Sequence, residues 1–367
     1  MRYLIVGGGI AGTTAAEELR KIDPNGSIVL ISEEQNRLYS RVLLPHYING
    51  KVERERCFLK KESWYEQQKI EAHFGVTVSK LDVKNHFVAT SDGREHEYDK
   101  LLIATGGEVK THDEDCRGIS YLRTLDDADH LLQLLGESPS SVGIVGAGFI
   151  AIEYINIFAD RGLKAELFTR TGRFFSRSLD QDSSDLIKER VERDGIVVSN
   201  NPPRLQEYAI VGIGMGVAPD LSWIKEAGVE TRAGILANDF LETNVPNVYT
   251  AGDVAEYFDL FAKRHLIVGN WMNAMTQGRI VAKTMAGERT RFELVSSYAT
   301  NVRGMEIIFV GDTDREKAER IIRRGSKGEG GITQLFVRAG RVVGATLVNR
   351  NSERAEVTKL IREKIDL

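Results

Sequence analysis

The 367-residue sequence predicts an α/β fold with two Rossmann-like, doubly wound units, and three observations predict it. The apolar run Tyr3 to Val6 enters Gly7-Gly8-Gly9-Ile10-Ala11-Gly12, a helical pattern follows from Thr13 to Lys21, and a second apolar strand runs from Ile28 to Ser32. The same order returns later: a strand from Ser141 to Val145, the loop Gly146-Ala147-Gly148-Phe149-Ile150-Ala151, a helix from Ile152 to Arg161, and a strand from Lys164 to Phe168. Glycine is in excess, with 35 residues, about 9.5% against a usual ~7%.

Each residue of the first loop has a mechanical reason. Gly7 permits the tight turn, Gly9 lets a pyrophosphate approach the backbone, and Gly12 lets the helix pack closely on the strand. Ile10 and Ala11 place their amides at the helix N-terminus, where an anion is favoured. Glu33, about twenty residues past the last glycine, suits a ribose diol. In the second unit Gly146, Gly148, Phe149 and Ile150 fill the same places, and Ala151 is the small-residue variant of the third glycine. The acid is missing there. Thr169 and Arg170 stand where Glu33 stood, and an arginine suits a 2′-phosphate. Arg173 lies close by in sequence; solvated surface charge is the alternative reading of both arginines. Two dinucleotide units in one chain suggest FAD and NAD(P) held together, since a flavin accepts hydride from a nicotinamide.

Composition bounds the rest. The formal net charge of −4 argues against nucleic acid or an anionic membrane surface as partner. No apolar run approaches the ~20 residues of a membrane span. The apolar start is cut by glycine at position 7, too early for a signal peptide, so a cytoplasmic location is expected. Cys57 and Cys116 make no disulfide framework, and the seven histidines show no paired ligand spacing, so no metal is expected.

With both units in view, the chain resembles the FAD- and NAD(P)-dependent pyridine nucleotide oxidoreductases. Within them it resembles the branch of rubredoxin reductases, ferredoxin-reductase components, NADH oxidases and the flavin part of NADH-dependent nitrite reductases. LYSRVLLPHYINGK is similar to the family segment passing over the flavin, with Arg41 as a candidate contact. YDKLLIATGG, containing Ala104, Thr105 and Gly106, resembles the strand and turn leaving the FAD domain. NVPNVYTAGDVA resembles the second FAD motif, in which Gly252 shapes the turn and Asp253 would bond the ribityl chain. The segment opened by Asn270 and Trp271 resembles the helix whose N-terminus faces the flavin. Val78 matches a position whose backbone meets adenine. Glu153 and Gly216 match positions near the nicotinamide, and Glu153 is the candidate catalytic residue.

The resemblance implies a discontinuous FAD domain over residues 1–109 and 236–289, an inserted NAD(P) domain over 110–235, and a small α+β C-terminal domain over 290–367. Tyr298 and Arg303 are candidates for a flavin edge or a homodimer contact. Three departures stand out. Ser40 to Leu43 lacks the redox cysteine of peroxide- and disulfide-reducing relatives, which disfavours a thiol mechanism. Only Ser199 to Tyr208 stand where relatives carry a three-stranded meander, so either the meander is lost or residues are missing from the sequence. The loop Thr111 to Arg117 is polar and acidic, and reads as solvated rather than metal-binding.

The implied activity is NAD(P)H:acceptor oxidoreduction, with hydride passing to the flavin and electrons then passing to a small iron or iron–sulfur protein such as rubredoxin or a ferredoxin. Three alternatives stand beside it: a flavin subunit of a larger iron–sulfur redox complex, an NADH oxidase, and a non-catalytic flavin-dependent interaction protein.

Overall fold

The computed structural model describes residues 1–112, 117–201 and 204–364. Cys116, its acidic neighbours 113–115, and Pro202 and Pro203 of the shortened stretch lie outside the described residues. The chain divides into two compact units. One comprises Met1–Ser40, Glu55–Glu108 and Ala218–Leu294; the other comprises Arg41–Arg54, Val109–Val217 and Val295–Leu367.

The first unit is built on a parallel five-stranded sheet. Its first strand, β1 (Arg2–Val6), leads into helix α1 (Ile10–Ile22) and then β2 (Ser27–Ser32). The spatial order is Val248–Thr250, Lys100–Ile103, β1, β2, Ile70–Phe74. β1 is an apolar run buried on both faces, as a central parallel strand must be. The strand order reverses at β1, which has β2 on one side and Lys100–Ile103 on the other. A crevice outside the carboxyl ends of the strands at such a point is the usual ligand position of an open α/β sheet. Two small sheets complete the unit: an antiparallel meander of Val78–Asp82, Phe87–Thr90 and Glu95–Glu97, and a sheet of Ile235–Ala237, Ala255–Asp259 and Arg264–Leu266.

The second unit repeats the plan. Strand β3 (Val142–Val145), helix α2 (Phe149–Asp160) and strand β4 (Ala165–Phe168) are followed by helix α3 (Gln181–Arg193). The parallel sheet runs in the order Val197–Ser199, β4, β3, Ile210–Ile213, Ile119–Ser120. Val197–Ser199 stands at its edge, with Val197 exposed. From Ser199 the chain reaches Ile210 through a short 3₁₀ turn at Leu205–Glu207, and Ala209 bonds back to Ser141 at 3.1 Å.

The same unit carries an antiparallel sheet in the order Ser297–Val302, Met305–Gly311, Arg341–Val348, Gly331–Arg338, Arg320–Ser326, and the helix Arg354–Arg362. This sheet is tied to α2 and α3. Asn156 donates to the Asn301 carbonyl at 2.7 Å, and Arg303 reaches both Asp160 and Asp194 at 2.6 Å. Arg303 is thus engaged in ion pairs inside this unit.

The segment Arg41–Arg54 belongs to this second unit by its contacts. Tyr47 donates to Asp129 at 2.7 Å, Lys51 pairs with Asp160 at 2.9 Å, and Arg54 pairs with Asp129 at 2.9 Å. The partner carboxylates Asp129 and Asp160 lie on the helices Leu125–Gly136 and α2 of the second unit, a placement the family-like reading of 41–54 did not contain. Helix α4 (Trp271–Met285) belongs to the first unit, where it packs along α1.

Candidate functional site

In the first unit three loops converge at the carboxyl end of the sheet. The Gly7 amide donates to the Ile31 carbonyl at 2.8 Å, and Gly7 has φ +120°, a conformation that glycine tolerates best. A Cβ on Gly7 would stand 2.1 Å from the Ala104 oxygen, so the turn Ala104–Thr105–Gly106 lies directly against it. A Cβ on Gly12 would stand 2.0 Å from the Gly7 oxygen, which fixes the helix close to the loop. A Cβ on Gly252 would meet the Ala11 methyl at 3.2 Å, placing the Gly252–Asp253 turn beside the first turn of α1. Glu33 is exposed one residue beyond β2, and Val78 is buried at the start of its strand. Trp271 opens α4, half-buried, and the helix is capped by Asn270, which accepts from the Asn273 amide at 2.8 Å. Arg41 lies in the other unit, where its guanidinium donates to the Arg123 carbonyl at 2.5 Å.

Gly9 is different. It is the N-cap of α1, in extended backbone (φ −70°, ψ −171°) that any residue adopts. Nothing lies within 4 Å of a Cβ built there, and no side chain caps the helix. Neither backbone strain nor protein packing demands glycine at this place. The open space leaves room for a pyrophosphate to approach the backbone and the unpaired first-turn amides.

The second unit reproduces the glycine turn and the open helix N-cap, with Ala151 in the place of Gly12. Gly146 donates to the Phe168 carbonyl at 2.9 Å, has φ +125°, and would carry a Cβ 2.3 Å from the Gly214 oxygen. Gly148 is the N-cap of α2 in extended backbone, again with nothing within 4 Å of its Cβ and no capping side chain. The residues of both loops therefore fit dinucleotides on the same independent evidence. Gly216, at φ +92°, follows the strand Ile210–Ile213 and accepts from the Lys110 amide at 3.0 Å.

Phe149 begins α2 and Ile150 follows it. The Phe149 ring packs against Phe175, Tyr298 and Phe309, with centroids 4.9, 5.3 and 5.1 Å away. Tyr298 also stacks on Phe309 at 5.3 Å, and burial pushes its phenol up to about 12. Glu153 lies one turn beyond Phe149, partly buried. Desolvation pushes its carboxyl up to about 7. Such a group holds or releases a proton near neutral pH and donates or accepts a hydrogen bond accordingly.

Two residues escaped the sequence reading. Gln277 is fully buried on α4 and accepts from the Gly252 amide at 2.6 Å, holding the turn that presents Asp253. Gly278 lets α4 cross α1, because a Cβ there would stand 2.2 Å from the Ala11 oxygen. A glycine inside a helical run was the available signal for Gly278; nothing in the sequence marked Gln277. Among the described residues no group of three or more histidine, cysteine or acidic side chains is assembled for a metal ion. Cys57 is a buried thiol that forms no disulfide among the described residues. No helix among the described residues is long and apolar enough to cross a membrane.

The family profile described as "Pyridine nucleotide-disulphide oxidoreductase" matches residues 1–203 and 200–278. The chain is 25% identical over 390 residues to a nitrite reductase [NAD(P)H] of Bacillus subtilis, covering 100% of this chain and 48% of that protein. It is 29% identical over 334 residues to an NADH-rubredoxin oxidoreductase of Clostridium acetobutylicum, covering 88% and 84%. The chain thus spans about half the length of the first of these relatives and most of the second. Among solved structures, the NADH:rubredoxin oxidoreductase of C. acetobutylicum superposes with a TM-score of 0.85 at 25% identity, over 100% of this chain and 96% of that one. A covalent putidaredoxin reductase–putidaredoxin complex shares the fold at TM-score 0.90 and 24% identity, over 100% and 94%.

Proposed function

From the premise that the chain belongs to the pyridine nucleotide-disulphide oxidoreductase family, and so is an NAD(P)H-dependent flavoenzyme, we propose that it is a reductase delivering electrons to a small iron or iron–sulfur protein. The observation that carries this reading is the pair of open cradles at Gly9 and Gly148, each with nothing within 4 Å of a Cβ. When bound, FAD takes a hydride from a nicotinamide and passes electrons on.

The chain's own residues have distinct parts in this reading. Gly9 to Gly12 and the first-turn amides of α1 hold one pyrophosphate, Glu33 takes a ribose, and Gly252–Asp253, braced by Gln277, present a carboxylate to the same cofactor. The Ala104–Gly106 turn lies against the same loop, and Val78 and Trp271 are candidate contacts within that unit. Gly146 to Ile150 hold the second pyrophosphate. Phe149 offers an aromatic wall, Gly216 leaves backbone room, and Glu153 positions a proton-bearing group near neutral pH. The Cys57 thiol is buried and forms no disulfide among the described residues, and Ser40 stands in the segment where thiol-dependent relatives carry cysteine. This favours direct release of electrons from the flavin.

Relatives named for rubredoxin and for ferredoxin, at 29% and 25% identity, support an iron-protein acceptor. The test is anaerobic titration of the yellow protein with NADH and NADPH, followed by addition of oxidised rubredoxin or a plant-type ferredoxin. Bleaching followed by reduction of the added protein is the expected result. A colourless preparation, or flavin left oxidised by both nucleotides, refutes the reading. A second reading, a flavin component of a larger reductase, draws on the 48% coverage of the nitrite reductase. Subunits that copurify with the chain and accept its electrons distinguish it.

A further inference from the structure

Resting on the reading that the second unit takes a nicotinamide dinucleotide, we propose that this chain selects the 2′-phosphorylated form, with Arg170 as the specificity-determining residue. The two units supply an internal control. In the first, β1 and β2 are in register at Val6 and Ile31, and Gly7 bonds the Ile31 carbonyl. In the second, Val145 is in register with Phe168, and Gly146 bonds the Phe168 carbonyl. Ile31 and Phe168 are therefore structural equivalents. One residue further, Ser32 matches Thr169, and both are buried. Two residues further, Glu33 matches Arg170, and both are exposed.

The charge at the ribose-facing place is thus inverted between two otherwise matching cradles of one chain. A carboxylate there accepts from a ribose diol and repels a phosphate; a guanidinium attracts the phosphate and donates to it in a forked geometry. Arg170 has no hydrogen bond or ion pair among the described residues, so its donors are not committed elsewhere. The Thr169 hydroxyl is buried without a partner. Arg173, in the same loop, donates to the Leu179 carbonyl at 2.5 Å, and its Nε is buried without a partner. The acids closest in sequence are engaged: Glu166 accepts from the Tyr208 hydroxyl at 2.6 Å, and Asp180 caps α3 and faces Arg323 at 3.7 Å. The loop is net positive where the first unit's is acidic.

The test uses the FAD-loaded protein and two adenosine fragments without nicotinamide, 2′,5′-ADP and 5′-AMP, titrated calorimetrically at one ionic strength. The expected result is 2′,5′-ADP binding at least about tenfold more tightly, with the preference shrinking as salt is added. Arg170→Ala should bring the two fragments within about threefold, and Arg170→Glu, which recreates the first unit's arrangement, should favour 5′-AMP. Equal affinities in the wild type, no detectable 2′,5′-ADP binding, or a preference that survives Arg170→Ala overturns the proposal. Bleaching by NADH but not NADPH also overturns it while leaving the reductase reading intact. Failure of both nucleotides to bleach the flavin overturns the reductase reading, and the fragment titrations still decide this one.

Discussion

Gly9 and Gly12 sit three residues apart in one loop, yet their replacement by alanine should break different things. At Gly12 the new Cβ would lie 2.0 Å from the Gly7 oxygen and 3.0 Å from the Ile5 side chain. Ordinary contact requires the helix and loop to part by more than about 1 Å, an overpacking strain that costs about 3 kcal/mol. For a unit of this size that corresponds to a fall in Tm of about 6–12 °C. At Gly9 the new Cβ meets nothing within 4 Å and the backbone is already extended. The loss of protein stability there is that of an alanine N-cap, under about 1 kcal/mol. The methyl instead occupies the approach to the first-turn amides, and FAD affinity should fall by at least about tenfold, or ~1.4 kcal/mol. Deflavinated protein is melted by calorimetry, then titrated with FAD by fluorescence quenching. Wild-type FAD affinity in Gly9→Ala, or a melting loss in the flavin-free variant as large as that of Gly12→Ala, would refute the assignment of the open cradle to a cofactor.

Glu153 carries a carboxyl raised from 4.5 to about 7 by burial. The folded state then binds its proton more tightly than the unfolded state, so stability falls as pH rises from about 4.5 through 7, by at most about 3 kcal/mol. Glu153→Gln should therefore melt above the wild type at pH 8, with the gap closing towards pH 4.5; a gap independent of pH contradicts the buried carboxyl. Arg303 holds Asp194 well below the usual carboxylate range and, together with the larger effect of Lys51, does the same for Asp160. Both pairs are partly solvated, so Arg303→Ala should cost about 1–2 kcal/mol at pH 7. That loss should fade below pH 4, as the depressed carboxylates protonate, which denaturant melts at the two pH values would measure. Gln277→Leu removes the acceptor of a buried Gly252 amide, costing about 1–3 kcal/mol, and should lower FAD retention on gel filtration; undiminished retention would show that the Gly252–Asp253 turn stands without it.

What the sequence determined by itself was local and periodic. Each strand–glycine loop–helix–strand unit was legible because its parts are neighbours in the chain and each glycine answers one short-range steric demand. The absent acid at Arg170 was legible for the same reason. Tertiary structure decided everything that depends on distant segments meeting. The motif gives Gly7, Gly9 and Gly12 different expected roles, but only the atoms placed opposite each Cβ show that Gly7 and Gly12 face backbone while Gly9 faces nothing within 4 Å. Gln277 reaches Gly252 from 25 positions away, and Arg303 reaches Asp160 from 143, so neither partner could be read from spacing. The carriage of Arg41–Arg54 with the second unit was equally hidden, because it rests on ion pairs to helices about 80 to 110 residues further along. The near-neutral Glu153 belongs to the same class, because desolvation is a property of surrounding atoms and has no signature in the residue itself.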